Sequence, residues 1–184
     1  MSRSAPRDRS SDPPNEAPAV NAAGVAERVR ATYPDVVVAR DEASVSLGRE
    51  DLLPALESFR ADPALRLDFL SSVTATDWPG RDPRFWLVYE LSSNDLRHRL
   101  RVKVGLHEDD LHVPSVTGLF PTADWHERET FDFYGVVFDG HPDLRRILLP
   151  DDWEGWPLRK TEELGGVDTR YHGAFIPPVD RRTP

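Results

Sequence analysis

Apolar positions along this chain change period several times, and each change marks an element. Val25, Val29 and Tyr33 recur at helical spacing behind Asn21, a side chain suited to capping. Pro34 stops that pattern, which predicts a helix from Asn21 to about Thr32. Val36 to Ala39 is a short apolar strand, Arg40-Asp41-Glu42 turns it, and Ala43 to Leu47 returns with alternation. Leu52, Leu56 and Phe59 mark a second amphipathic helix closing before Asp62-Pro63. Leu67 to Thr76 reads as a strand ended by Asp77, Pro79 and Gly80. Phe85 to Leu91 alternates again, and Ser92 to Arg97 joins it as a hairpin to His98–Leu106. There Leu100, Val102, Val104 and Leu106 face one side and Arg99, Arg101 and Lys103 the other. A third helix is expected from Thr122 to Tyr134, with Gly135 as its stop.

Helix, two strands, helix, three strands and helix is not a regular alternation of strand and helix. It predicts an α+β domain with a mainly antiparallel or mixed sheet and helices packed on one face. Residues 1–20 hold Pro6, Pro13, Pro14 and Pro18 and no apolar period, so a disordered tail is expected there. The domain itself is expected over residues 21–150, followed by a Trp- and Pro-rich extension over residues 151–184. Its far end carries Tyr171, Phe175 and Ile176 among glycines and prolines, the composition of an extended arm that orders on a neighbour.

Composition narrows the function. The 184 residues carry 32 acidic and 23 basic side chains, a formal net charge of −9. A general affinity for nucleic acid or an anionic membrane surface needs a basic face, which this balance disfavours. Cysteine is absent, which removes disulfides, thiol nucleophiles and thiolate-held iron–sulfur clusters. No 18-residue apolar run exists. Asp8, Asp12, Glu16 and the prolines speak against a transit peptide, so the N-terminus reads as a cytoplasmic tail.

The usual catalytic constellations are missing. There is no glycine-rich phosphate loop and no GxSxG. Trp125-His126-Glu127-Arg128-Glu129-Thr130 begins like a zinc motif, but Thr130 stands where the second histidine belongs. His107 and His112 flank Glu108, Asp109 and Asp110, which reads as a solvated acidic loop rather than a metal site. Glu127, Glu129 and Asp132 lie close together, and helix-surface salt bridging is the plainer reading of them. Asp124, Arg128 and Asp132 fall at i, i+4 and i+8 and are expected to pair along one helix face. Arg145-Arg146 and Arg159-Lys160 are compact basic pairs suited to carboxylates, some of them across a protein interface. Trp153 and Trp156, around Gly155, are either packing or anchors in a partner's pocket. The density of aromatics and charges from Glu127 to Lys160 points to protein–protein contact more than to an active site.

These residues also form a recognisable series. Glu127-Arg128-Glu129, Asp132, Tyr134-Gly135, Gly140-His141-Pro142, Leu144-Arg145-Arg146, then Trp153, Gly155, Pro157 and Arg159-Lys160 stand at fixed spacing. The series resembles the signature of the C subunit of proton-pumping NADH–quinone oxidoreductase, respiratory complex I of the bacterial type. Asp82-Pro83-Arg84-Phe85, Arg99 to Lys103 and Val113-Pro114-Ser115-Val116 also look like family segments, so the resemblance covers about Ala22 to Lys160. One departure is Thr161, where family members commonly have Asp. The resemblance implies an α+β subunit of the peripheral arm, on the cytoplasmic side of the cell membrane, that binds no metal or cofactor and has no catalytic residues of its own. The whole complex would use FMN, iron–sulfur clusters, NADH and a quinone. Its partners would be the quinone-site D subunit, the iron–sulfur B subunit and neighbouring iron–sulfur subunits, with membrane contact only through the complex. Related membrane-bound hydrogenases and coenzyme-linked dehydrogenases contain homologous subunits. A stand-alone carboxylate enzyme on Glu127 and Glu129, or an unrelated adaptor using the Trp-rich loop, are the rival classes.

Overall fold

The computed structural model describes residues 21–162; the expectations for residues 1–20 and for the stretch after Glu162 lie outside the described residues. The elements run α1 (Ala22–Arg30), β1 (Val36–Ala39), β2 (Glu42–Leu47), α2 (Leu52–Ala61), β3 (Phe69–Asp77), β4 (Phe85–Ser93), β5 (His98–Leu106), β6 (His112–Pro114), α3 (Ala123–Tyr134) and β7 (Val137–Asp139). Five strands form one sheet in the order β1-β2-β5-β4-β3. All neighbours are antiparallel except β2 and β5, so the sheet is mixed and the domain is α+β.

The alternation read from the sequence becomes continuous apolar rows across the sheet. Ala43, Leu100, Leu91 and Leu70 are register partners, as are Val45, Val102, Tyr89 and Val73, and Leu47, Val104, Leu87 and Ala75. All are buried. Because side chains alternate between faces, one face of the sheet is the core, and no helix among the described residues covers the other. Helix α1 lays Val25, Ala26 and Val29 on the core face, and Asn21 Oδ1 accepts the Gly24 N–H at 2.9 Å as the expected cap. Helix α2 adds Leu52, Ala55, Leu56 and Phe59, the last meeting the Tyr33 ring edge-on at 5.7 Å.

Helix α3 lies against β3, where Thr130 Oγ1 donates to Val73 O at 3.2 Å and Thr122 Oγ1 to Leu70 O at 3.0 Å. It ends at Gly135, whose φ of 72° only glycine adopts without strain. The short parallel pair β6–β7 follows no pattern legible in the sequence: three-residue strands carry too little alternation. It ties down His112 and the segment Ser115–Val116, whose Ser115 N–H donates to Asp139 O at 2.8 Å. The acidic loop before it is likewise held rather than free. Arg84 pairs with Glu108, Arg49 with Asp110 at 2.7 Å, and His107 with Asp82 at 2.7 Å. Among the described residues no helix is long and apolar enough to cross a membrane.

Candidate docking site and its internal clasp

Helix α3 presents Glu127, Arg128, Thr130 and Asp132 as buried polar residues, an unusual load for twelve residues. Each is placed by a partner from another segment. Asp132 is fully buried and is the centre of the arrangement. Its Oδ2 accepts the N–H groups of Ile147, Leu148 and Leu149 at 3.0, 2.7 and 2.9 Å, and its Oδ1 takes Arg146 Nη1 at 2.8 Å. Burial pushes the carboxyl up, but the three N–H groups and Arg146 together outweigh it and hold Asp132 below the usual carboxylate range. Arg146 then reaches on: Nη2 donates to the carbonyls of Trp153 and Gly155 at 3.1 and 3.2 Å, and its guanidinium lies 4.8 Å from the Trp156 ring. One carboxylate and one guanidinium thus fasten residues 145–156 to the helix.

A second buried carboxylate fastens the rest. Asp77, at the end of β3, holds Arg84 in a two-pronged pair at 2.7 and 2.9 Å and accepts the Lys160 N–H at 2.7 Å. The Arg84 pair keeps Asp77 well ionised, below the usual range. Arg159 Nε donates to Tyr134 O at 2.7 Å, and its guanidinium lies over Phe85 and Trp156. Burial, then the neighbouring Arg84, lowers its hold on its proton. Trp156 packs edge-on against Phe131 at 5.3 Å and covers Gly135 so closely that a Cβ there would fall 2.5 Å from its ring.

Several expectations are corrected here. Asp124, Arg128 and Asp132 do not pair along the helix. Arg128 instead donates to the Arg145 and Arg146 carbonyls, with Asp143 3.8 Å away, and its guanidinium stands over Trp125. Asp124 O accepts from His141 Nε2 at 3.2 Å, and His141 Nδ1 accepts the Asp143 N–H at 3.0 Å. The approaching loop supplies better-aligned partners than a helix neighbour four residues away. Glu127 is no surface salt bridge either: it is fully buried. Its two oxygens accept the Val116 N–H and the Ser115 hydroxyl, both at 2.7 Å. Burial dominates there and pushes Glu127 up to about 7. Glu129 is exposed, so the two glutamates face apart and form no acid–base pair. Arg146 finds its carboxylate inside the chain, while Arg145 keeps only an exposed pair with Asp143 at 2.9 Å.

Leu144 packs against the core, Gly140 turns the loop at φ 84°, and Gly155 turns the arm at the same angle. Pro142 is exposed, Pro157 half-buried, and Lys160 engages through its backbone while the residue stays exposed. Sequence reasoning overlooked Asp77 as a hub, although two of the upstream segments singled out as family-like supply partners: Arg84 to Asp77, and Ser115 and Val116 to Glu127.

With its polar groups turned inward, the assembly shows the solvent apolar side chains. Trp125 is 61% and Leu148 60% exposed, and Trp153 and Leu158 are each 45% exposed. Large apolar side chains left exposed are a common mark of a protein-binding surface. Among the described residues no group of three or more His, Asp or Glu side chains is set to hold a metal.

The family model for the respiratory-chain NADH dehydrogenase 30 kDa subunit matches residues 45–168. The C subunit of the NADH-quinone oxidoreductase of Salinispora arenicola is 46% identical, covering 86% of this chain and 68% of the relative. The C subunit from Mycolicibacterium gilvum is also 46% identical, over 80% of this chain and 66% of its own length. That of Saccharopolyspora erythraea is 49% identical and is covered over 59% of its length. The trypsin-resistant fragment 1–134 of Nqo5 superposes with a TM-score of 0.57 at 33% identity, covering 65% of this chain and 96% of the fragment. A chain of the membrane-bound sulfane sulfur reductase, an archaeal respiratory membrane complex, shares the fold with a TM-score of 0.64 at 24% identity, covering 76% of this chain and 84% of that one.

Proposed function

The chain belongs to the family of the 30 kDa subunit of respiratory-chain NADH dehydrogenase, and on that premise we propose that it is the structural C subunit of an NADH–quinone oxidoreductase. In this role it carries no electrons. It holds the quinone-site D subunit beside the iron–sulfur B subunit in the peripheral arm, on the cytoplasmic side of the membrane. The complex around it passes electrons from NADH through FMN and iron–sulfur clusters to a quinone, coupled to proton translocation.

The observation that carries this reading is the fate of the signature residues. Asp132, Arg146, Arg159 and Glu127 all turn inward and are satisfied within the chain, as residues that brace a surface would be. What they achieve is a rigid surface bearing Trp125, Arg145, Leu148 and Trp153. A chain without cysteine has no thiolate for a cluster, in keeping with a scaffolding role. The relatives named as components of NADH-quinone oxidoreductase favour this complex over a hydrogenase-type one.

Affinity purification of the tagged chain from its own membranes tests the proposal. Iron, flavin and NADH oxidation are expected to arrive with its partners. Elution of the chain alone, or stoichiometric iron or flavin on the isolated chain, overturns it.

A further inference from the structure

Among the described residues the helices cover one face of the five-stranded sheet. On the other face β4 presents Trp86, Val88 and Glu90, β5 presents Arg101 and Lys103, and β3 presents Thr74 and Thr76. The loop after β3 folds over one end of this face. Pro83 lies so close on Gly105 that a Cβ there would fall 2.4 Å from its Cγ. Trp78 stands beside it, 46% exposed, with Nε1 donating to Thr76 Oγ1 at 3.1 Å and the Arg81 guanidinium 4.5 Å from its ring. The outcome is an open groove of about 610 Å³ between loop and sheet.

An antiparallel sheet commonly leaves one face to water, but such a face is ordinarily polar and charge-balanced. This one sets Trp86, Val88, Pro83 and Trp78 among two threonines and five charged side chains whose charges do not balance. Glu90 is paired with Arg101, which also takes Glu42 at 3.2 Å, and Asp82 lies 2.7 Å from His107, which balances its charge only when protonated. Arg81 and Lys103 meet no carboxylate among the described residues. Three cations against two anions in the lining leave an aromatic groove with one net positive charge, on a chain whose formal net charge is −9.

We propose that this groove is a second docking surface, occupied in the assembled complex by an acidic, apolar-tipped segment of a neighbouring subunit. The segment's apolar side chain lies between Trp78 and Trp86, and its carboxylates answer Lys103 and Arg81. Charge complementarity selects this occupant. The stretch 163–184 of the chain itself has three acidic residues against three arginines and offers no net negative charge. The proposal rests on the reading that the chain is a subunit of the complex, but it concerns the side of the sheet away from α3.

The absence of cysteine makes a direct test available. Single variants Thr74→Cys in the groove and Leu148→Cys on the α3 surface are labelled with a maleimide, both in the isolated chain and in the purified complex. Thr74→Cys is expected to label freely in isolation and at least about tenfold more slowly in the complex, where the contact excludes water. Adding Arg81→Glu and Lys103→Glu is expected to restore fast labelling or to reduce the yield of complex. Unchanged labelling of Thr74→Cys in a complex that protects Leu148→Cys overturns this inference and leaves the proposed function standing. Protection that appears in the isolated chain and grows with its concentration assigns the groove to a second copy; protection lost on truncation after Glu162 assigns it to the chain's own end. Either result overturns the proposal. If the chain enters no complex, the proposed function fails with it.

Discussion

Replacing Asp132 with Asn keeps the shape of the side chain and removes the charge that four groups converge on. Three backbone N–H groups and Arg146 lose their anionic acceptor, and the new amide N–H₂ points a donor at donors. Hydrogen bonds to a charged group contribute about 1.5–3 kcal/mol each, and breaking a buried ion pair costs about 3–5 kcal/mol; the two overlap and do not add. The penalty is bounded, because once residues 145–160 lift away water satisfies the freed groups. A loss of about 3 kcal/mol corresponds to roughly a hundredfold more local opening. Amide exchange of Ile147, Leu148 and Leu149, together with trypsin cleavage after Arg145 and Arg146, reads this out, and the sheet amides serve as the reference. The pH dependence follows the same carboxylate. A depressed pKa contributes stability that is present above about pH 4 and lost as pH falls through the native value. The wild-type clasp should therefore open in acid, while Asp132→Asn is open and indifferent to pH over that range. Unchanged protection of the three amides, or a loss spread equally over the sheet, refutes the reasoning.

Three further outcomes follow from the same contacts. Glu127, raised to about 7, favours the folded state below its ordinary carboxylate pKa and loses that advantage as pH rises to about 7, by about 3 kcal/mol. Glu127→Gln can still accept from Val116 and reach Ser115, so its urea midpoint should be nearly flat from pH 5 to 8, and a wild-type midpoint equally flat counts against burial as the cause. Gly135→Ala puts a Cβ against Trp156 at positive φ, a strain of about 1–2 kcal/mol before any clash, and should expose Trp156 to a fluorescence quencher; quenching like the wild type's means the arm is held otherwise. Arg84→Met leaves Asp77 buried without its guanidinium and should lower the melting temperature markedly, by about 3–5 kcal/mol of stability; a change under about 1 kcal/mol means that Lys160 and water suffice.

The helices, most of the strands and the faces that β4 and β5 bury were legible because Leu100–Leu106 and Phe85–Leu91 keep a clean period of two over most of their length. Strand order was not: inserting β5 in parallel beside β2 depends on contacts far apart in sequence, which no local pattern encodes. The signature was legible as a series of residues but not as a mechanism. Asp132 and Glu127 look like surface acids on a charged helix, and only the approach of Ile147–Leu149 and Ser115–Val116 reveals them as buried acceptors. Arg145 and Arg146 are neighbours of identical chemistry, yet Arg146 is locked onto Asp132 and Arg145 is 72% exposed, a difference that residue type alone does not encode.

If the signature residues brace a docking surface, its exposed members Trp125 and Leu148 make the contact. Membrane-bound NADH–quinone reductase activity in a Trp125→Ser, Leu148→Ser double variant tests this most directly, with thermal unfolding of the isolated variant measured alongside. Neither side chain is buried, so unfolding should match the wild type, while the chain leaves the complex and quinone reduction falls with it. Full assembly and full activity in a normally folded double variant would contradict the proposed docking role.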